Sequence, residues 1–357
     1  MTIYIIAEAG VNHNGSLDMA KELVKVAKVA GADAVKFQTF KAENLVTKQA
    51  QQADYQVENL GKATSQLAML KKLELTYDEF IELQSFCKTE QIEFLSTPFD
   101  FESVDFLLDE LGVTTAKIPS GELTNAPFLH YIASKGKSII LSTGMATIEE
   151  IHEALAFIAY GLARPLEPIM LEQVHAFYST EEAKGVLRKY VILLHCTTQY
   201  PAPMDSINLK AMSEMERIFQ LPIGLSDHSE GIHIPIAAVG MGAKVIEKHF
   251  TLDRTLEGPD HVASLNPEEL KTMIKGIREV ELALGNGIKK PTEIELQNRI
   301  PVRKSLVAKT SILAGEIFSA ENLTVKRPGD GIEPSKFWSY IGQIASKSYD
   351  EDELIDE

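Results

Sequence analysis

Lysines and histidines stand at the ends of short apolar or β-branched runs along the chain. Lys36 and Lys117 occur in two such runs, and His228 and His249 follow two others. An ammonium group at the end of a buried strand is costly unless a partner neutralises it. The lysines therefore predict a site for an anionic ligand.

Hydroxyl groups at equivalent positions support an anion site. Serine and threonine hydroxyls donate hydrogen bonds to phosphate or carboxylate oxygens. The alternative is two ion pairs, in which Glu8 and Glu122 neutralise the lysines; we favour the anion site and leave the ion pairs open. The hydroxyls in question belong to Ser96, Thr97, Ser120, Ser142, Thr143 and Ser226.

The two histidines could share a divalent metal ion, with a carboxylate and water completing the coordination. Two histidines alone are a weak pattern, and a pair of buried histidines is more often hydrogen-bonded structure than a metal site. Asp260 follows Gly258-Pro259 and should lie on a turn. It could bind sugar hydroxyls or only cap that turn.

Eight short runs alternate with helical patterns, which indicates repeated βα units and a parallel sheet. No Gly-x-Gly-x-x-Gly motif follows the first run, which favours a closed (β/α)8 TIM barrel over an open doubly wound sheet. In a barrel all strands end at one rim, where active sites of this architecture lie. The predicted strands are Ile3 to Ala7, Ala34 to Phe37, Glu93 to Leu95, Thr115 to Ile118, Ser138 to Leu141, Val191 to Leu194, Pro222 to Leu225 and Lys244 to Glu247.

Local signals mark several helix ends. Capping boxes are predicted where Thr76 precedes Glu79, Thr147 precedes Glu150 and Asn266 precedes Glu269. Two segments interrupt the βα rhythm. Lys41 to Leu75 either covers the substrate or is a disordered insertion, and Phe157 to Tyr190 predicts a broken helical hairpin.

The composition changes after Gly285. We predict a barrel over residues 1–285, a linker over 286–296 and a small β-rich domain over 297–357. That domain contains β-like runs at Ser305 to Ala308 and Leu323 to Lys326. A core this small is marginal alone, so we expect the domain to dock on a barrel.

The composition excludes several classes of protein. With 45% hydrophobic and 24% charged residues, the chain is typical of globular proteins. A net charge of −16 argues against a nucleic-acid or acidic-membrane partner. Cys87 and Cys196 are too few for a disulfide framework, and no signal peptide or transmembrane segment is apparent, so we expect a cytoplasmic protein.

These residues lie within motifs that resemble the sialic acid synthases, and the resemblance runs nearly end to end. The matching segments are Ile6 to Gly15, Val35 to Thr39, Ser96 to Phe99, Lys117 to Glu122, Leu141 to Met145, His195 to Thr197, Tyr200-Pro201, Gly224 to His228, Glu247 to Thr251, Gly258 to Asp260 and Val325 to Gly331.

The resemblance implies a transferase that condenses phosphoenolpyruvate with N-acetylmannosamine or a related hexosamine, giving a nine-carbon 2-keto acid of the N-acetylneuraminate type and phosphate. It implies a TIM barrel followed by an antifreeze-like, SAF-type domain, in a domain-swapped homodimer. The histidines matching His228 and His249 would hold Mn²⁺, with Mg²⁺ or Co²⁺ as alternatives.

The resemblance also assigns roles to the other residues. Lys36 and Lys117 would hold phosphoenolpyruvate together with the hydroxyls of Thr97, Ser120, Ser142 and Ser226. Glu122 is the first choice for proton transfer and Glu8 the second. Residues matching positions that contact the hexosamine are Glu8, Gln38, Glu122, Tyr200, Asp260 and Arg327, the last of which would enter the partner's barrel.

Departures from the family pattern leave the acceptor sugar open. Thr198-Gln199 and Pro301 to Arg303 replace residues that some members carry near the sugar. A branch making legionaminic acid from 2,4-diacetamido-2,4,6-trideoxymannose is at least as similar as the N-acetylneuraminate branch. A barrel acting on a sugar phosphate and a non-catalytic sugar-binding barrel are the remaining alternatives.

Overall fold

A computed structural model describes residues 2–53, 56–57 and 65–356. The chain divides into two compact units, Met1–Gly285 and Asn286–Glu357. In the described part of the chain, no helix is long and apolar enough to cross a membrane.

The first unit is an eight-stranded parallel barrel surrounded by helices, which confirms the predicted fold class. All but the fourth strand extend past the predicted end, so several polar residues placed after strands lie within them. The strands are β1 (Tyr4–Gly10), β2 (Ala34–Thr39), β3 (Glu93–Pro98), β4 (Thr115–Ile118), β5 (Ser138–Ser142), β6 (Val191–Cys196), β7 (Ile223–Asp227) and β8 (Val245–His249).

The strand order is β3-β2-β1-β8-β7-β6-β5-β4, and β3 and β4 adjoin without a hydrogen-bonded ladder between them. Register brings the charged residues together. Glu8 on β1 lies opposite Lys36 on β2 and His249 on β8. Ser226 on β7 lies opposite Glu247 on β8. The nearly closed barrel thus assembles a polar cluster from residues far apart in the chain.

The helices of this unit begin where the sequence signals place them. Capping boxes at Thr76, Thr147 and Asn266 are all formed. The helices are α1 (Leu17–Ala30), α2 (Ala42–Leu45), α3 (Gln66–Leu73), α4 (Tyr77–Glu90), α5 (Phe101–Asp105), α6 (Ala126–Ser134), α7 (Ile148–Ala163), α8 (Leu171–Tyr178), α9 (Glu181–Tyr190), α10 (Lys210–Phe219), α11 (His233–Gly240) and α12 (Pro267–Ala283).

The two segments that interrupt the alternation of strands and helices, Lys41 to Leu75 and Phe157 to Tyr190, have different structures. Between Lys41 and Leu75, α2 and α3 pack on a small apolar cluster of their own. Residues 54, 55 and 58–64 of this segment lie outside the described residues. The predicted helical hairpin between Phe157 and Tyr190 consists of the end of α7 followed by α8 and α9.

Side-chain alternation divides the polar residues near the rim into two sets. Successive residues of a strand point to opposite faces of the sheet. Asp227 lies 2.6 Å from the buried Lys248 ammonium and accepts a hydrogen bond from Ser229, whereas the adjacent Ser226 and Glu247 line the barrel cavity. Asp227 and Lys248 therefore lie outside the cavity, although their neighbours along the same strands line it.

The second unit contains an antiparallel pair, β9 (Ser305–Ala308) and β10 (Leu323–Lys326), over a separate apolar core. Three short helices accompany it: α13 (Glu293–Gln297), α14 (Arg299–Val302) and α15 (Phe337–Tyr340). The segment predicted as a linker includes most of α13, which begins with a capping box between Thr292 and Glu295.

A buried histidine follows β1 and makes the stability of the barrel pH-dependent. His13 Nδ1 accepts from the Gly15 amide, while its buried Nε2 has no hydrogen-bond partner among the described residues. Burial lowers the pKa of His13 to about 4. Because the unfolded chain then binds more protons below the ordinary histidine pKa of about 6.5, stability falls as pH decreases from about 6.5 toward 4.

We predict that this histidine alone costs about 2 kcal/mol of unfolding free energy between pH 7 and pH 5. Urea unfolding of the wild type and His13→Gln at both pH values tests the prediction. The variant should lose less stability on acidification than the wild type. Equal losses would show that His13 does not titrate in this way.

Candidate active site

A cavity of about 400 Å³ opens at the carboxyl ends of the strands. Every barrel residue to which the resemblance assigned a role lines it, although these roles stay predictions. They are Glu8, Lys36, Gln38, Thr97, Lys117, Ser120, Glu122, Ser142, Tyr200, Ser226, His228, His249 and Asp260. Ser96 and Thr143, two further hydroxyls predicted for the anion site, do not line it: Ser96 Oγ lies 2.7 Å from Thr39 Oγ1, and Thr143 Oγ1 donates to the Leu194 carbonyl at 2.9 Å.

Lys36 lies at the floor of the cavity and is almost fully buried. Its Nζ is 2.7 Å from Glu8 Oε2 and 3.6 Å from Glu247 Oε2. It also donates a hydrogen bond of 2.9 Å to Thr97 Oγ1. The ion pair between Lys36 and Glu8, left open by the sequence, is therefore present beside the hydroxyl predicted to bind an anion.

Lys117 is equally buried but does not pair with Glu122. Its Nζ lies 3.5 Å from Glu247 Oε1 and donates to Ser142 Oγ at 2.8 Å. Glu122 instead accepts a hydrogen bond from Asn125 Nδ2 at 2.7 Å, in the short helical turn after β4. That turn carries Glu122 to the half-buried rim of the cavity, away from the floor.

Glu247 joins the site, although the sequence prediction gave it no role there. Its carboxylate faces both lysines and accepts from Ser226 Oγ at 2.8 Å. Its place at the end of the eighth predicted run, two residues before His249, was visible in the sequence, and in the structure it lies in the middle of β8. Only the barrel register shows that it joins the two lysines, because the contact crosses several strands.

The two buried carboxyl groups have opposite protonation tendencies. Burial raises the pKa of Glu8 to about 7, although Lys36 opposes the shift. Despite similar burial, Lys117 and Lys36 hold the pKa of Glu247 down at about 2. With Glu8 protonated, the floor carries one carboxylate against two ammonium groups. This excess of positive charge is suited to an anionic ligand.

Two imidazoles face each other at the ends of β7 and β8. The ring centroids of His228 and His249 are 5.4 Å apart. His228 Nδ1 is 2.7 Å from the Thr197 carbonyl, which orients this ring. His249 Nδ1 is buried without a hydrogen-bond partner among the described residues. Tyr200 packs against both rings, with centroid distances of 4.0 and 5.7 Å.

The two histidines offer a nitrogen that a divalent ion could bind, but they are too few to complete its coordination. A buried imidazole nitrogen without a partner is the kind of atom that a metal ion would satisfy. However, no three His, Cys, Asp or Glu side chains converge as a metal-binding group within the part of the chain that the structure describes. The protein would supply two ligands, and water or substrate would supply the rest.

Close packing surrounds the hydroxyl groups near Lys117. Ser120 Oγ accepts a hydrogen bond from the Gly144 amide at 2.9 Å. A Cβ atom at position 144 would lie 2.3 Å from Thr198 Oγ1 and 2.8 Å from Ser120 Oγ. Only glycine fits here without displacing these side chains.

Asp260 lies in the loop after β8 and is buried beside the cavity. Burial raises its pKa to about 6. Ser264 Oγ donates to the Asp260 carbonyl at 2.6 Å and accepts from Asn12 Nδ2 at 2.9 Å. The loop is thus tied to the segment after β1, and the placement fits a side chain that binds a sugar hydroxyl.

Arg327 is the one predicted site residue outside the barrel. It follows β10 in the second unit and is exposed. Its predicted role in a partner's barrel stays a prediction.

Comparisons with known proteins identify relatives over nearly the whole chain. A model of the NeuB family matches residues 23–289, and one of the SAF domain matches residues 303–356. An N,N'-diacetyllegionaminic acid synthase from Campylobacter jejuni is 51% identical over 353 residues, covering 99% of the chain and 98% of that protein. A protein of the same name from Legionella pneumophila is 47% identical, covering 97% of the chain and 91% of that protein.

A solved structure supports the same relationship. The N-acetylneuraminic acid synthetase of Leptospira borgpetersenii matches with a TM-score of 0.69 at 32% identity. The match covers 84% of the chain and 90% of that structure.

Proposed function

The chain belongs to the NeuB family, and on that basis we propose that it condenses phosphoenolpyruvate with 2,4-diacetamido-2,4,6-trideoxymannose. The products are a legionaminic-type nine-carbon 2-keto acid and phosphate. The family resemblance deduced from the motifs is confirmed. The choice of acceptor is supported by the names of the two relatives at 51% and 47% identity.

The observation that carries this proposal is the buried floor formed by Lys36, Lys117, Glu8 and Glu247. Its two ammonium groups contact hydroxyls of Thr97 and Ser142 at 2.9 and 2.8 Å. Fixed donors in a water-poor cavity stabilise developing anionic charge more strongly than water does. The carboxylate and phosphate of phosphoenolpyruvate match this floor, where the two ammonium groups outnumber the ionised carboxylates once Glu8 is protonated.

The reaction joins C3 of phosphoenolpyruvate to the aldehyde carbon and exchanges the phosphate on C2 for an oxygen from water. C3 of phosphoenolpyruvate attacks the aldehyde of the open-chain sugar, and water adds to the cation left at C2. The C2–O bond to phosphate then breaks and its electrons leave with the phosphate, while the two protons of water go to the former aldehyde oxygen and to phosphate. Lys36 and Lys117 stabilise the phosphate and carboxylate. Glu8, with a pKa of about 7, can exchange a proton at neutral pH, and Glu122 lies at the rim within the same cavity.

A divalent ion, for which Mn²⁺ is our first choice, would be held by His228 and His249 and would supply Lewis-acid polarisation of the aldehyde. Tyr200 and the Thr197 carbonyl orient His228 whether or not the ion is bound. Asp260 and Gln38, which also line the cavity, would position the sugar.

We also propose a homodimer in which Arg327 reaches the partner's site. Arg327 is exposed and follows a strand of the small unit, so its guanidinium is available for an anionic or acyl oxygen. The non-catalytic alternative is disfavoured because the barrel retains both lysines and both histidines in one cavity.

The acceptor proposal predicts metal-dependent product from phosphoenolpyruvate and the diacetamido sugar. With Mn²⁺ present, kcat/KM should exceed that for N-acetylmannosamine by at least about 10-fold, the discrimination that apolar contacts provide. Phosphate release and product mass spectrometry measure both reactions, each with an EDTA control. A preference for N-acetylmannosamine would contradict the acceptor, and activity with neither sugar would contradict the proposed function.

A further inference from the structure

One side of the cavity is apolar, in contrast to its charged floor. Six cavity-lining residues, which we call the apolar wall, form it: Phe40, Leu45, Val46, Met69, Leu70 and Phe99. Five of them come from the segment between β2 and α4, and Phe99 directly follows β3. All six belong to one small hydrophobic cluster, separate from the main core of the barrel.

Several contacts of the described residues anchor the apolar wall to the barrel. The Lys41 amide donates to Asp100 Oδ2 at 2.8 Å, and the Ala42 amide donates to Glu74 Oε2 at 3.0 Å. The rings of Phe40 and Phe99 pack edge to face with centroids 6.3 Å apart. The apolar wall is therefore held in place by hydrogen bonds and by packing within its own hydrophobic cluster.

Leu45, Val46 and Phe99 differ from the other three residues of the apolar wall because they are only half buried. Their exposed atoms face a cavity whose floor is occupied by charged groups. Among the described residues lining the cavity, Lys36 and Lys117 are the only lysines or arginines, and both lie at that floor. The six side chains of the apolar wall thus offer no cation to a phosphate, and the amide donors of the cavity lining, Gln38, Gln56 and Gln66, lie outside this set.

We propose that the apolar wall determines acceptor specificity by binding the C6 methyl and the C4 acetamido methyl of the sugar. The inference rests on the proposed function and adds the residues that select a deoxy, diacylated acceptor. The aldehyde must lie near the floor and the histidines, where the carbon–carbon bond forms. The far end of the sugar then extends along the remaining surface of the cavity, toward Leu45 and Val46.

Physical chemistry explains why such a wall discriminates. A methyl group gains free energy on burial against apolar side chains. A hydroxyl in the same place loses its water without gaining a hydrogen-bond partner. N-acetylmannosamine carries hydroxyls at C4 and C6, so it should bind this surface less well than the deoxy sugar. A purely apolar contact limits the difference to about 10–200-fold.

Two substitutions test the apolar wall without opening a large cavity. Val46→Thr keeps the shape of the side chain and introduces a hydroxyl, and Leu45→Asn introduces an amide at a half-buried position. For each variant, kcat/KM is measured with both sugars at saturating phosphoenolpyruvate and Mn²⁺. The preference for the diacetamido sugar should fall by about 10-fold. The KM for phosphoenolpyruvate should stay unchanged.

Matched controls carry the same substitutions at exposed positions away from the cavity. Val29 on α1 is 74% exposed and Leu282 on α12 is 86% exposed. Val29→Thr and Leu282→Asn should retain the wild-type preference. Thermal unfolding of all four variants checks that the wall variants remain folded.

The possible outcomes distinguish a failure of the proposed function from a failure of the apolar-wall assignment. If the wild type uses neither sugar or prefers N-acetylmannosamine, the proposed function fails and the assignment of the apolar wall fails with it. If the wild type prefers the diacetamido sugar and both folded wall variants keep that preference, the proposed function stands and the wall assignment is overturned. A loss confined to the wall variants, in kcat/KM for the diacetamido sugar, supports it.

Discussion

Lys36→Met should abolish measurable condensation and lower the free energy of unfolding by about 3–5 kcal/mol. The substitution removes the ammonium group that lies 2.7 Å from Glu8 and 3.6 Å from Glu247. Both carboxyl groups are buried, so above pH 7, where Glu8 is ionised as well as Glu247, the loss of a neutralising charge is expensive in the folded state. The same loss removes one of the two cations proposed to bind phosphoenolpyruvate.

A second substitution separates stability from activity. Lys36→Met combined with Glu8→Gln removes both partners of the ion pair, while Glu247 keeps Lys117 and Ser226 as partners. The double variant should recover part of the lost stability but none of the activity. Lys275→Met, at a side chain that is 75% exposed, is the surface control. Urea unfolding and phosphate release provide the two measurements.

Two results would contradict this account. Wild-type turnover in Lys36→Met would exclude the lysine from the anion site. Equal stabilities of Lys36→Met and the double variant would show that the uncompensated Glu8 carboxyl is not the source of the destabilisation. The first result concerns function and the second concerns only the electrostatics of the floor.

The sequence predicted the barrel because its signals are local and repeated. Capping at Thr76, Thr147 and Asn266 depends on residues three apart, and each strand carries its own β-branched run. The site residues were predictable for a related reason. Strand ends converge in a barrel whatever lies between them, so Lys36, Lys117, His228 and His249 could be brought together from their positions alone.

The errors arose where partners are chosen by three-dimensional register. The alternative in which Glu8 and Glu122 neutralise the two lysines holds for Lys36 with Glu8 but not for Lys117, whose carboxylate partner is Glu247, four strands further along the chain. Asp227 and Lys248 pair on the outer face because adjacent strand residues alternate in direction. No pattern in the sequence indicated that Leu45 and Val46 line the cavity, since an apolar residue in an irregular segment has many equivalent places to pack.

His249→Ala is the second substitution with a large expected effect. It should lower kcat by roughly 10³-fold, more than the about 10–100-fold that outer-shell partners of a metal ligand contribute. His249 Nδ1 is buried without a hydrogen-bond partner among the described residues, and its ring faces that of His228. If the pair holds the divalent ion, removing one imidazole leaves the protein with a single ligand.

Direct binding of Mn²⁺ distinguishes this explanation from a loss of packing. Electron paramagnetic resonance of free Mn²⁺ during a titration reports binding without any turnover, and His249→Ala should show weaker binding than the wild type. His233→Ala, at an exposed position on α11, should bind normally. Full activity of His249→Ala would remove this residue from the proposed metal site. Lost activity with unchanged Mn²⁺ binding would contradict the metal-ligand role and would point to a contact with substrate, which the place of His249 in the cavity beside Glu8 and Tyr200 allows.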